Sequence, residues 1–515
     1  AKGGIFTVFG SNLEPTQIQT ASRFPLETTL GCVSVKVSKG GVSVDAIPLA
    51  VIGTQVNAIM PSNAPEGDVQ ITVSFNNRTS TATAMKVVPS SFGAFTVNQN
   101  GMGPAVLQNF VSQTEQPLNS PQRPARPRQV VTLWGTGLGP TSGADNVPPP
   151  AGDLPVPVEI TVGGKTANKL YSGRGPCCAG LDQIVFEIPA DAPLGCYVPV
   201  LVRAGGVTGN TVTMAISSDG SRCTDAANPL SRFSSGGKVG LIQLLKLNAR
   251  LQLDASGFTN VDIDVGAAEF TDSQGGEFSF NPITSLPPVG SCAVFAAGNI
   301  DLSGLVGGQL PDVPGQARIL NAGLALSVTG PKGTKPLPRS TDFQGAYFDI
   351  LGGAIPLLGP PPQPLYLDPG DYTITGPGGP DVGPFTARLR VPAALNWTNR
   401  DQSAQVTRPN GVTLNWSGGD PASQGITILG GNLDNNADAG AAFVCFADMR
   451  AGSFNVPASI LTSLPPSNLQ QPDQTIGFLA IGAGPSGDLP SFTATGLDAG
   501  YAMFGHFHVL SVIFR

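Results

Sequence analysis

The chain has 515 residues, too many for one hydrophobic core, so about three to five modules are expected. A formal charge of −7 excludes a general nucleic-acid binder, which needs a basic stripe to meet phosphates. With 41% hydrophobic and only 12% charged residues the chain is not disordered, and its 66 Gly and 48 Pro read as turns between strands.

The first module is expected over residues 1–89. Its strands are Gly4 to Phe9, Cys32 to Val37, Val42 to Val51, Gln55 to Met60, Val69 to Phe75 and Ala82 to Val88, all alternating apolar and polar residues between Gly/Pro turns. The second module covers 90–218, with strands near Phe92 to Asn98, Gln129 to Trp134, Val156 to Val162, Gln183 to Ile188, Tyr197 to Ala204 and Thr211 to Ile216. A Ser/Gly/Asp-rich connector follows, from Ser217 to Ser235. Residues 219–394 form a β-rich domain of unassigned type, in which Val239 to Leu253 reads as a strand because Leu247, Ala249, Leu251 and Leu253 alternate with polar residues. The runs Pro148 to Pro150 and Pro360 to Pro362 read as stiff spacers. A C-terminal β-sandwich is expected over 395–515, ending in a long strand from Tyr501 to Phe514. The fold class is therefore all-β: tandem sandwich modules, with a C-terminal half that is also sandwich-like.

The first two modules repeat. Gly4 to Leu13 reappears as Val130 to Leu138, Thr54-Gln55-Val56 as Asp182-Gln183-Ile184, and Met60 to Gly67 as Ile188 to Gly195. These words, with Pro25 to Gly31 and Gly180 to Ile184, resemble the Ig-like repeat, a relative of the TIG/IPT sandwiches, found in large exported acidobacterial proteins. The resemblance covers Ala1 to Ser218, about two-fifths of the chain. It implies two Ig-like sandwiches and, because that family has no assigned activity, it transfers no catalytic residue. Cys32 departs from the pattern by standing where a Gly is expected.

Low Lys content, abundant Thr, Ser and Asn, and seven Cys suit an exported protein. The chain opens on Ala1 rather than Met, as a processed chain would, and no apolar run approaches the ~20 residues of a membrane helix. An extracellular or bacterial cell-surface location follows, without membrane insertion. The basic cluster Arg123, Arg126 and Arg128 lies in a proline-punctuated loop and reads as a solvated surface.

Cys177, Cys178, Cys196 and Cys223 are expected to form two disulfides, with adjacent Cys177 and Cys178 seeking different partners for lack of geometric room. A zinc site at these four is the alternative, but their spacing matches no CxxC pattern. Cys292 and Cys445 can link the two C-terminal modules. Cys32 is left over, as a buried thiol or an intermolecular bridge.

His506 and His508 share one face of the last strand. No third ligand is evident, so packing or solvent exposure is expected rather than zinc. Asn432, Asp434, Asn436 and Asp438 resemble a calcium-binding turn that lacks the closing Glu of an EF-hand, and calcium is the one cofactor to consider. No Gly-x-Ser-x-Gly elbow, His-Glu-x-x-His or phosphate loop occurs. Trp134, Trp397 and Trp416 could stack on sugars but read as core. The sequons at Asn77, Asn396 and Asn415 carry no assigned role.

The second module has a leading strand before Val130; the first has none before Gly4. A sandwich short of its first strand exposes an unpaired edge, which a strand from a neighbouring molecule can complete, the terminal strand being one candidate donor. The expected function is a non-enzymatic structural or adhesive protein that self-associates head to tail. The alternative is a carbohydrate-binding or carbohydrate-processing exoprotein with Ig-like spacers.

Overall fold

The computed structural model describes residues 1–13, 15–76, 78–231, 236–254, 257–282, 284–296, 318–341, 343–355, 358–434, 440–468 and 475–515. The fold is all-β, as the alternating pattern requires, and it divides into two compact units. One unit holds residues 1–194 and 198–222; the other holds 195–197 and 223–515.

The first unit contains both repeats. In the first repeat a four-stranded sheet runs in the order Ile5–Phe9, Gln55–Ile59, Ile47–Ile52, Gln19–Thr20. It shares a core with a six-stranded sheet built around Val33–Lys39 and Gly67–Phe75. Val33, Val35 and Val37 alternate inward and are fully buried, each contributing roughly 1.5–3 kcal/mol of transfer free energy. The second repeat has the same plan, with Val130–Thr136 paired to Asp182–Glu187. The pairing registers coincide: Val8 faces Val56 and Phe9 faces Gln55, as Leu133 faces Ile184 and Trp134 faces Gln183.

Among the described residues, the second unit is organised by an eleven-stranded sheet. Its main path runs Ser291–Ala296, Gly440–Ala447, Gln424–Asp434, Thr475–Pro485, Ala499–Ser511, Gly237–Asp254, Gly257–Ser273, Tyr347–Ile355, Leu358–Gln363. A four-stranded sheet over Ala325–Val391 covers one part of it, through Leu326, Ile374 and Leu389 packed on Leu244, Phe270 and Phe504. A three-stranded sheet of Leu395–Trp397, Val412–Gly418 and Ser453–Val456 covers another, through Trp397, Leu414 and Trp416 packed on Ile428, Ile481 and Leu510.

The boundary expected at 394/395 needs correcting, because strands from both sides of it pair in this sheet. Ala499–Ser511 runs parallel to Gly237–Asp254, from Val239 opposite Ala499 to Arg250 opposite Leu510, and antiparallel to Thr475–Pro485. The terminal strand is thus hydrogen-bonded on both edges within its own chain, which removes it as a donor to another molecule. Pro360 to Pro362 lie in the strand Leu358–Gln363 at the end of that path, not in a spacer; an end strand tolerates residues that cannot donate to a ladder.

Three disulfides are present: Cys177–Cys178, Cys196–Cys223 and Cys292–Cys445. The Cys177–Cys178 bridge corrects the expectation that the neighbours pair apart; in the turn between Asn168–Arg174 and Asp182–Glu187 both side chains lie on one side, so their sulfurs bond directly. Cys292–Cys445 joins the paired strands Ser291–Ala296 and Gly440–Ala447. Cys32 is exposed rather than buried. It sits with Gly31 in the tight turn between Thr29–Leu30 and Val33–Lys39, at φ +62° beside Gly31 at +58°. A turn with two successive positive φ values explains why Gly is expected there.

Candidate functional site

Two places bring functional groups together: the outer edge of the first repeat, and a polar seam on the large sheet.

The edge is set by alternation. Gly10 donates its N–H to Thr54 O and Gly4 O accepts from Met60 N–H, so Gly4, Phe6, Val8 and Gly10 turn their main-chain groups toward Gln55–Ile59. Ile5, Thr7 and Phe9 turn theirs the other way. Ile5 N–H is taken by Thr136 Oγ1 at 2.7 Å, but no strand pairs with this edge among the described residues. In the second repeat the corresponding lane is filled by Gly93–Ala94 and Leu107–Asn109, both antiparallel to Val130–Thr136, with Phe95 N–H donated to Trp134 O. Side chains follow suit. Val131 and Leu133 are fully buried under Phe92, Ala105 and Leu107, whereas their counterparts Phe6 and Val8 are only half-buried. Phe9, counterpart of Trp134, is 76% exposed.

Trp134 corrects the expectation of a core residue. It projects from the face of its strand opposite to Leu133, is half-buried, and donates Nε1–H to Gln108 Oε1 at 2.8 Å. Trp397 and Trp416 do belong to the core.

The seam arises where polar residues at period two interrupt three apolar strands. On the terminal strand, Ala502 and Phe504 join one core and Leu510, with Val512 just beyond the strand's end, the other, with His506 and His508 on the same face between them. Lys246 pairs with His506 on one side and Asp264 on the other; Asn248 likewise stands between His508 and Asp262. Lys246 Nζ lies 3.2 Å from Asp264 Oδ1. Asp264 is fully buried, and its other oxygen accepts the N–H groups of Tyr366 (2.6 Å) and Leu367 (2.7 Å). The buried carboxylate is thereby offset by a cation and two amides.

His506 Nδ1 accepts Leu395 N–H at 3.1 Å, which places its proton on Nε2, 2.5 Å from Asn248 Oδ1. Asn248 in turn donates to Asp262 Oδ1. His508 Nε2 donates to Leu395 O at 2.9 Å, and its buried Nδ1 has no partner among the described residues. Burial first, then His508 and Lys246, lower His506 to about 3. Burial also lowers His508, and Arg400 adds to this against the hydrogen bond to Leu395 and the charge of Asp262. Both imidazoles are neutral at pH 7, and a base held so far below the working pH is poorly suited to proton transfer. The geometry suits fastening: Leu395 clips the start of the smaller sheet to both histidines, and Asp264 fastens Tyr366 and Leu367.

No group of three or more His, Cys, Asp or Glu among the described residues is arranged to hold a metal ion. Asn432 is fully buried within Gln424–Asp434 and donates Nδ2–H to Pro465 O at 3.0 Å. Asn436, Asp438 and the side chain of Asp434 lie outside the described residues, as does Asn77. Among the described residues no helix is long and apolar enough to cross a membrane.

Sequence reasoning missed Lys246, Asn248, Asp262 and Asp264 as partners of the histidines. The available signal was the period-two polar spacing inside apolar runs, Lys246-x-Asn248 and Asp262-x-Asp264.

No family model matches the chain. No curated protein matches it either. Among solved structures it is similar to SGBP-B from a complex xyloglucan utilization locus in Bacteroides uniformis, at 12% identity over 68% of this chain and 82% of that one, with a TM-score of 0.17. It is also similar to immunoglobulin domains 1–5 of Sidekick-1, at 9% identity over the whole of both chains, with a TM-score of 0.11. At such scores the fold rests on its own sheets and registers.

Proposed function

We propose that the chain is a non-enzymatic extracellular structural or adhesive protein of the bacterial surface, joined head to tail by a strand that each first repeat accepts from a neighbouring molecule. One observation carries this reading: the Ile5–Phe9 edge has no paired strand among the described residues, while the identical lane in the second repeat is filled. An extended segment laid there would satisfy the main chain of Thr7 and Phe9 and cover Phe6 and Val8. The second repeat supplies the template for that segment: antiparallel to its acceptor, with apolar residues at alternate positions, as in Phe92 and Ala94 or Ala105 and Leu107. Such a contact is heterologous, so it propagates unless the rotation closes a ring. Three disulfides suit an oxidising compartment. The repeat words support kinship with TIG/IPT-related repeats of exported proteins, and neutral, fastened histidines support a role without catalysis or cofactor. Hydrogen exchange across a concentration series tests the reading: the amides of Thr7 and Phe9 gain protection as concentration rises, and constant exchange at every concentration contradicts it.

A second reading, glycan binding, is favoured by Trp134, which lies outside the core beside Gln108 and opposite Gln183. An indole face stacks on sugar C–H groups while amides meet hydroxyls. Titrating β-glucan oligosaccharides against tryptophan fluorescence tests it; a response lost in Trp134→Ala supports it, and a flat titration of the intact protein removes it.

A further inference from the structure

The turn from Gly175 to Leu181 carries the Cys177–Cys178 bridge, and it is held at both its base and its tip. At the base, Arg174 and Asp182 form a buried ion pair; Arg174 also donates to Gly139 O and Asp182 accepts Leu138 N–H at 2.7 Å. At the tip, Ala179 is buried against Leu26, Ile47 and Ile59 of the first repeat. Gly180 O accepts the Thr136 hydroxyl at 2.7 Å, and the same Thr136 oxygen takes Ile5 N–H. A Cβ on Gly180 would fall 2.8 Å from Ile59 Cγ1, so this backbone fits the first repeat only as glycine. The turn is therefore a plug of the second repeat in the first, with the disulfide between its fixed base and its docked tip.

Access differs among the three bridges. Cys177 is exposed and Cys178 half-buried, whereas Cys196, Cys223 and Cys445 are buried and Cys292 is half-buried. A bridge between neighbours closes a ring through one peptide unit and holds the backbone leading into Ala179 and Gly180. We propose that Cys177–Cys178 is a site of thiol–disulfide exchange for a dithiol reductant, and that opening it loosens the plug. One thiolate of the dithiol attacks Cys177 Sγ; the Cys177–Cys178 bond breaks and its electron pair leaves on Cys178 Sγ, which takes a proton. The second thiol of the reductant then attacks the mixed disulfide and displaces Cys177 as a thiolate, which is protonated in turn. The protein gains two thiols and the dithiol becomes a cyclic disulfide. A separate contact between the repeats, Asp145 with the N–H and hydroxyl of Ser62, lies on another loop and is untouched by the exchange. The repeats accordingly loosen locally and stay joined. The switch stands whether or not a strand docks on the Ile5–Phe9 edge.

The test uses the full chain, titrated with dithiothreitol, trapped by alkylation and mapped by peptide mass spectrometry, with hydrogen exchange measured on the same samples. Cys177–Cys178 is expected to open at the lowest dithiol concentration, with exchange rising about tenfold at Ile5 and Ala179 while Ser62 and Val33–Lys39 keep their protection. A Cys177→Ser/Cys178→Ser double variant should reproduce that pattern without reductant. Confirmed opening with unchanged exchange at Ile5 and Ala179 overturns the proposal. Loss of protection throughout the unit also overturns it, because the bridge would then be a folding staple, and so does earlier opening of a buried bridge.

Discussion

Val8 and Leu133 occupy the same place in the repeat, each facing its partner strand in the same register, yet Leu133 is fully buried and Val8 is only half-buried. The difference lies in what covers them. Leu107 pairs directly with Leu133, and no strand runs on that side of Val8 among the described residues.

Truncating the two residues should expose this difference in stability. Leu133→Ala removes a packed side chain and is expected to destabilise its repeat by about 3 kcal/mol, against about 1 kcal/mol or less for Val8→Ala in the isolated protein. Urea unfolding of each variant measures both. Equal losses would mean that Val8 is already covered.

The histidine seam predicts acid sensitivity of the second unit. His506 is lowered from 6.5 to about 3 in the fold, so between these values the unfolded chain holds more protons and stability falls as pH drops. The slope for one such group approaches about 1.4 kcal/mol per pH unit within that window. His506→Gln, which keeps a donor toward Asn248, should flatten the pH profile of unfolding below about 6. Parallel profiles for the two proteins would show that His506 titrates normally.

Asp225 acts with the opposite sign. Burial raises its carboxyl from 3.8 to about 6, against the hydrogen bond from the Cys196 amide, and one of its oxygens is buried without a partner among the described residues. Between these values the folded state holds the extra proton, so stability falls as pH rises, and the deficit is complete above about 6. Asp225→Asn keeps the acceptor for Cys196 N–H and removes the charge. It should stabilise the protein by about 1–3 kcal/mol at pH 8 and change little at pH 4. Thermal melts at the two pH values decide this; destabilisation at pH 8 would contradict it.

Local alternation and self-similarity in the sequence encode much of this architecture. The two repeats and their registers through Gln55 and Gln183 follow from short words and from period two. What lay hidden depends on pairing between distant segments. Lys246 meets His506 only because Gly237–Asp254 and Ala499–Ser511 run side by side in parallel, across more than half of the chain's C-terminal unit. The same pairing turned an expected donor strand into an interior one. Cys177–Cys178 was missed for a different reason: its closure depends on the shape of one turn, to which spacing is blind. Trp134 was misplaced because its apolar neighbours mark the strand and not the face.

On the proposed reading, the first repeat accepts a strand. Thr7→Pro removes an outward-facing N–H, leaves the main-chain pairing with Gln55–Ile59 intact at the loss of the Thr7 hydroxyl's bond to Asn57 Oδ1, and places a residue tolerated on edges at the middle of the lane. Negative-stain electron microscopy of the intact protein and of Thr7→Pro across a concentration series, with circular dichroism to confirm the fold of both, is the most direct measurement. Regular linear assemblies of the intact protein that are lost in Thr7→Pro are the predicted result; single molecules in both samples, or assemblies that persist in the variant, would contradict it.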